Sequence, residues 1–315
     1  MKNIVEKYNA VPDKKAGLFR PILFILPFIF LLTSCEDFFE STVEIDIPEH
    51  ESRLTLTSRF SLEDTLLSVH LSKSLGILSN ENYPVITDGK VELYENGSLL
   101  TTFDYVSQNG FYQALLPQGT LKSGATYRLE AAAGGQQIYA EQKMPQKPEL
   151  LSATFEKEGT IDEFGDRADE IKIELKDRSG ESNYYMVRAY EVLDYNGQTL
   201  LNDLSLYSFD PLLIYGWDDN GNYREPLLFS DAAFEGRQYE MQLHTYTYDD
   251  GANSEGILIR LFEITRERYL FLNTFYHYYY NEDNPFAEPV NVFDNIEDGY
   301  GIFSVEAFSE YFIPF

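Results

Sequence analysis

Cysteine is nearly absent from this chain: Cys35 is the one example in 315 residues. A lone cysteine excludes an internal disulfide and any metal site built from several thiolates. Histidine is scarce too, with only His50, His70, His244 and His277. No H-E-x-x-H run or paired histidine spacing occurs, which argues against a zinc site. His70 shares a strand face with serines and His244 lies in a tyrosine-rich strand, both ordinary polar-face positions. No G-x-S-x-G elbow marks a serine nucleophile. Basic residues are the third shortage: 24 Lys and Arg stand against 52 Asp and Glu, a formal net charge of −28. Phosphate binding needs a basic surface, so nucleic acid is not an expected partner. Long apolar runs are missing as well. Residues 21–32, PILFILPFIFLL, fall short of the ~20 residues a membrane-spanning helix needs, and Pro27 interrupts them.

What is present begins at the N-terminus. Lys2, Lys7, Lys14, Lys15 and Arg20 make a positive segment ahead of the apolar run, and the small residues Thr33 and Ser34 follow it. This is the order of an export signal, expected over residues 1–34. The run Leu32-Thr33-Ser34-Cys35 resembles a bacterial lipobox, in which cleavage precedes a cysteine that then carries diacylglycerol. No A-x-A-like site precedes Cys35, as a signal without lipid would require. Lipidation also explains a single thiol in an exported chain, where a free one would be a reactive liability. One acyl chain holds weakly, at ~0.8 kcal/mol per buried methylene, whereas two or more palmitate-like chains hold stably. The next residues, Glu36, Asp37, Phe38, Phe39 and Glu40, look like the surface-export signal of Bacteroidetes lipoproteins. The expected location is therefore the outer membrane, lipid-anchored and facing the cell exterior. The alternative is an acidic tether facing the periplasm.

Residues 1–34 hold five basic and two acidic side chains. The chain from Cys35 onward therefore keeps 19 basic and 50 acidic residues, a formal charge of −31. Such a charge promotes solubility and attracts cations or cationic ligands. A short acidic tether is expected over 35–52. From residue 53 the pattern becomes short alternating strands, at about 54–59, 66–73, 91–94, 111–115, 126–131 and 137–143. Asn96-Gly97 and Gly134-Gly135 mark hairpins. Pro145 and Pro148 set a boundary, giving an N-terminal β-sandwich over 53–145 and a C-terminal β-rich domain over 149–315. Strands are expected there at 151–155, 171–176, 184–193, 239–248 and 257–264. One aromatic-rich helix is expected at 266–281, with Thr265 as its N-cap and Tyr269, Leu272, Tyr276 and Tyr279 as its packing stripe. The fold class is mainly β: two sandwiches of immunoglobulin or transthyretin type, the second carrying the helix.

Catalytic chemistry finds little support. Carboxylate pairs suit glycoside hydrolysis, but 50 acidic residues make any one pair uninformative. Calcium is the candidate cofactor, because Asp218, Asn220 and Asn222 form one oxygen-rich turn and Asp249 and Asp250 another. Tyr223 stands where an EF-hand-like loop needs glycine, so solvated acidic turns are the plainer reading. Between residues 200 and 231 the strand pattern loosens and turns aromatic and acidic. Tyr215, Trp217, Asp218 and Tyr223 in that stretch are the candidate ligand-binding residues, since long loops on a β framework commonly carry binding.

Several short pieces then form a series. They are Val91-Glu92-Leu93-Tyr94, Gly110-Phe111-Tyr112, Gly124-Ala125-Thr126-Tyr127-Arg128-Leu129, Tyr139-Ala140 and Met144-Pro145. Ser230-Asp231, Phe234-Glu235-Gly236, Asn284-Pro285-Phe286-Ala287-Glu288-Pro289, Asn295-Ile296, Gly299 and Gly301-Ile302-Phe303 complete it. The series resembles a Bacteroidetes outer-membrane lipoprotein family of unknown function, often encoded beside TonB-dependent receptors. The resemblance implies a non-enzymatic surface accessory to a TonB-dependent transporter, acting in ligand capture or uptake, and it brings no catalytic residues. The rivals are a free-standing glycan- or peptide-binding adhesin module and an extracellular hydrolase.

Overall fold

The computed structural model describes residues 50–315, apart from 77–78, 81–83, 163, 214–226, 248–252, 282–283 and 285. The chain is mainly β. Apolar–polar alternation builds the strands: β1 (Leu54–Ser61) buries Leu54, Leu56, Ser58 and Phe60 and turns Thr57 and Arg59 to solvent. β2 (Leu66–Lys73) buries Leu67, Val69 and Leu71 in the same way. β3 (Lys90–Glu95) and β4 (Ser98–Val106) meet at Asn96-Gly97, where both residues have positive φ (48° and 82°). This is the hairpin geometry that asparagine and glycine tolerate best. β5 (Phe111–Leu115) follows, and β6 (Thr126–Ala133) turns into β7 (Gln136–Lys143) through Gly134-Gly135.

The second half supplies β8 (Glu149–Ile161), β9 (Arg167–Lys176), β10 (Tyr184–Tyr195) and β11 (Gln198–Leu204). β12 (Leu227–Ser230), β13 (Gln238–Thr245), β14 (Asn253–Ile264), helix α1 (Arg266–Asn281) and β15 (Tyr300–Pro314) complete the chain. The stretch expected to be loose therefore contains strands at both of its ends. β15 lies between β14, to which it is antiparallel, and β1, to which it is parallel. One sheet consequently runs β11-β10-β14-β15-β1-β2-β5-β4-β3-β6-β7, across the boundary read at 145–149, and β12 pairs with β10. A second sheet has the order β13-β9-β8. β4 pairs with β3 through its first residues and with β5 through Asp104–Val106, so it carries the long sheet round a corner.

Two cores form on one face of β15. Phe303 and Val305 join Leu56, Phe60, Leu93, Leu129 and Ile138 in the first. There Phe60 stacks on Phe103 at 6.1 Å and meets Phe303 edge-on at 5.4 Å. Tyr311 and Ile313 pack against the second core, where Ile171, Ile173 and Met241 of the small sheet face Val187, Ile259 and Leu261. The odd-numbered residues 303, 305, 311 and 313 share a face because side chains alternate along a strand. The opposite face of the long sheet bears Met186, Leu228, Phe262 and Ile264, covered by Tyr269 and Leu272 of α1.

Thr265 caps helix α1: its Oγ1 accepts a hydrogen bond from the Arg268 N–H at 3.4 Å. Tyr269 and Leu272 are buried as the stripe requires, whereas Tyr279 at the far end is 57% exposed. Arg268 reaches down from the helix to the fully buried Glu306, 3.0 Å from Nε, and Arg59 of β1 reaches the same carboxylate at 2.9 Å. The glycines and asparagine quoted near the C-terminus are structural. A Cβ on Gly301 would stand 2.0 Å from the Leu56 carbonyl oxygen, so only glycine lets β15 approach β1 there. Asn295 completes the seating: its Nδ2 donates to the Phe303 carbonyl at 2.8 Å and its Oδ1 accepts from the Phe303 N–H at 3.0 Å.

Candidate functional site

A cleft of about 380 Å³ opens between the end of β7 with the link after it and the turn that leads into β10. Glu141, Lys143 and Pro145 line one side. Arg178, Glu181, Asn183, Tyr184 and Glu263 line the other, with Thr265 and Arg266 at the start of α1.

Local chemistry explains the shape of this wall. β9 ends at Lys176 and the chain turns at Gly180, whose φ is +93°. Buried Asp177 holds the turn by accepting hydrogen bonds from the Tyr185 hydroxyl and from the Gly236 N–H at 2.7 Å. The Gly180 N–H donates to Glu235 at 3.1 Å. Asn183 N–H donates to Asp231 Oδ2 at 2.7 Å, and Asp231 N–H donates back to the Asn183 carbonyl at 3.1 Å. The segment Ser230-Asp231…Phe234-Glu235-Gly236 thus braces the turn through three of its residues. Burial raises the Asp231 carboxyl above its ordinary range, and the hydrogen bond from Asn183 opposes that shift. Burial, followed by its bond to Asp177, drives the Tyr185 hydroxyl far above its usual value.

Glu263 stands at the floor. Its Oε1 takes the Arg178 guanidinium and the Asn183 Nδ2, the latter at 3.1 Å. Arg178 also binds Glu181 at 3.1 Å through Nε. Glu263 is 5% exposed and Asn183 3%. Glu263 Oε2 and Asn183 Oδ1 are buried without a hydrogen-bond partner. Burial raises the Glu263 carboxyl, and the Arg178 guanidinium opposes it. A buried acceptor left unmatched costs about 1–3 kcal/mol, which a donor from outside would recover. Ser182 and Thr265 bring hydroxyls to the lining, but the lining holds no histidine or cysteine to activate or replace them. The arrangement is equipped to hold a polar ligand.

A second buried carboxylate, Asp169, is fully engaged elsewhere. It accepts from the Thr247 N–H at 2.9 Å, the Glu158 N–H at 2.8 Å, the Thr247 hydroxyl and Lys157. Burial alone would raise this carboxyl, but those four donors hold it below the ordinary value. They also explain its structural role, because the bond to Glu158 meets the chain where φ is +52° in β8.

The candidate site residues read from the sequence all lie outside the described residues. This holds for Cys35 with Glu36 and Asp37, for Tyr215, Trp217, Asp218 and Tyr223, and for Asn220, Asn222, Asp249 and Asp250. Among the described residues, no group of three or more His, Cys, Asp or Glu side chains could hold a metal ion. Among them, too, no helix is long and apolar enough to cross a membrane. Sequence reasoning missed Arg178, Asn183 and Glu263. A signal for Glu263 existed: in Ile257, Ile259, Leu261, Glu263 it is the one charged residue on a buried strand face.

The family model described as Domain of unknown function (DUF4249) matches residues 40–311. The chain belongs to the DUF4249 family. The match takes in helix α1, every residue lining the cleft, the bracing segment Ser230–Gly236 and both sheets except the last residues of β15. No curated protein matches the chain. Among solved structures the chain is similar to one described as "Biofilm associated protein - BSP domain", at 8% identity and a TM-score of 0.16. That match covers 86% of this chain and 61% of the other, so this chain spans about three fifths of its length.

Proposed function

We propose that this DUF4249 protein is a non-enzymatic lipoprotein of the outer membrane, anchored through Cys35 and facing the cell exterior. It captures a ligand and serves as accessory to a TonB-dependent transporter. The anchor rests on the export-signal order of residues 1–34 and the lipobox-like Leu32-Thr33-Ser34-Cys35, and the outward address on Glu36 and Asp37. The transporter rests on the resemblance to lipoproteins encoded beside such receptors. The observation that carries ligand capture is the cleft, with two buried acceptors lacking partners beside an arginine. Tyr215, Trp217, Asp218 and Tyr223 are proposed as a further ligand surface, and calcium as an ion for the turns at 218–222 and 249–250.

The finer fold reading belongs to the same proposal: two immunoglobulin- or transthyretin-like modules on either side of residues 145–149. Two separate hydrophobic cores support it: the first is built mainly from residues before that link, joined by Ile296, Phe303 and Val305, and the second from residues after it. Co-purification tests the function. Tagged full-length protein, extracted from membranes in mild detergent, is expected to bring down an outer-membrane barrel. Ligand binding without any barrel would favour the adhesin module instead.

A further inference from the structure

We propose that the cleft takes the ammonium group of a small ligand, with Glu263 and Asn183 as its acceptors. Two atoms set the requirement. Glu263 Oε2 and Asn183 Oδ1 are both acceptors, both buried and both without a hydrogen-bond partner. Only a donor satisfies them, so a carboxylate or phosphate group is the wrong occupant.

Charge decides between a cationic donor and a hydroxyl. The lining carries four carboxylates, Glu141, Glu181, Glu263 and Glu267, against Lys143, Arg178 and Arg266. Arg178 is already shared between Glu263 and Glu181. The cleft is therefore short of one positive charge, and a neutral hydroxyl leaves it short. An ammonium group supplies both the charge and up to three donors. The chain's formal charge of −28 draws cations toward it from solution.

Access follows from the same arginine. The Arg178 side chain is 26% exposed and that of Glu181 52%, while Glu263 is buried. Turning the guanidinium fully toward Glu181 keeps one ion pair at the rim and releases Glu263 to the incoming ammonium. The cleft volume of about 380 Å³ suits a ligand of a few to a dozen or so heavy atoms.

This inference rests on the ligand-capture half of the proposed function and not on the transporter half. The test uses cadaverine and its neutral counterpart 1,5-pentanediol, titrated calorimetrically into the full-length protein in detergent at matched ionic strength. Cadaverine is expected to bind and the diol is not. Glu263→Gln is expected to weaken cadaverine by about tenfold or more, the scale of one lost hydrogen bond to a charged group. Equal binding of the diol overturns the ammonium assignment in favour of a polyol. Cadaverine binding that Glu263→Gln leaves unchanged overturns the site, because it reports only the acidic surface. No binding of either compound overturns the inference as well. Where Glu263→Gln fails to fold, the natural chain still decides between ammonium and hydroxyl, and Ser182→Trp, which fills the cleft from an exposed lining position, tests the site in its place: cadaverine binding that it leaves unchanged overturns the site. A barrel that still co-purifies while cadaverine fails leaves the transporter reading standing and removes only this one.

Discussion

Replacing Glu306 by alanine separates a buried ion pair from an ornamental one. Glu306 is fully buried on β15, between Arg268 of helix α1 and Arg59 of β1. The two partners differ in burial: the Arg59 side chain is 49% exposed and that of Arg268 only 15%. Arg59 can turn to water when the carboxylate goes, so its share is about 0–1 kcal/mol. Arg268 cannot. Its remaining contact here is the Ser304 hydroxyl at 3.3 Å, and burial already works against its charge while Glu306 supports it. Removing one member of such a pair costs about 3–5 kcal/mol. For a chain of this size that lowers the melting temperature by roughly 5–10 °C. Calorimetric melting of Glu306→Ala, Arg59→Ala and the double variant Glu306→Leu with Arg268→Met gives the measurement. The double variant removes both charges and is expected within about 1–2 kcal/mol of the natural chain. A Glu306→Ala protein that melts with the natural one, or an Arg59→Ala loss as large, refutes the reasoning.

Four further outcomes are expected. Gly301→Ala drives a Cβ into the Leu56 carbonyl oxygen and should unseat β15 from β1, seen as lost amide protection in both strands. Gly97→Ala meets nothing within 4 Å and should cost only the ~1–2 kcal/mol of a left-handed backbone. Asp169 is held below its ordinary value, so its contribution is present above the unfolded carboxylate value and lost as pH falls through the folded one. Thr247→Val should move that loss to higher pH in melting curves recorded from acid to neutral. Cys35→Ser should release the protein from the membrane fraction and abolish labelling by radioactive palmitate, and retention of either would contradict lipid anchoring.

The strands were legible because their physics is local. Leu54, Leu56, Ser58 and Phe60 alternate in the sequence and share the core face. Asn96-Gly97 and Asn196-Gly197 turn as such pairs do, with positive φ at every residue. Helix α1 occupies the residues expected of it because Thr265 caps it and Tyr269 and Leu272 give it a seam. The return of β15 to β1 was not legible, since parallel pairing between the two ends of a chain leaves no local period. The cleft was hidden for a related reason. Asp231 and Glu263 lie 48 and 80 residues from Asn183, and they meet the turn that carries Arg178 and Asn183 only when β10 pairs with β12 and β14. The Ser230–Gly236 series pointed at the right wall without saying what it braced. Glu263 and Glu306 are each the buried carboxylate of a largely apolar strand whose other carboxylate, Glu255 or Glu310, is exposed, and buried-face charge is the signal that composition conceals among 52 acidic residues.

Cross-linking on intact cells tests the central claim most directly. A lysine-reactive reagent that cannot cross membranes is applied to cells bearing the natural protein, and its linked peptides are read by mass spectrometry. The account predicts links between this chain and the outward loops of an outer-membrane barrel, formed before the cells are broken. Links that appear only after lysis, or none to any barrel, would contradict it.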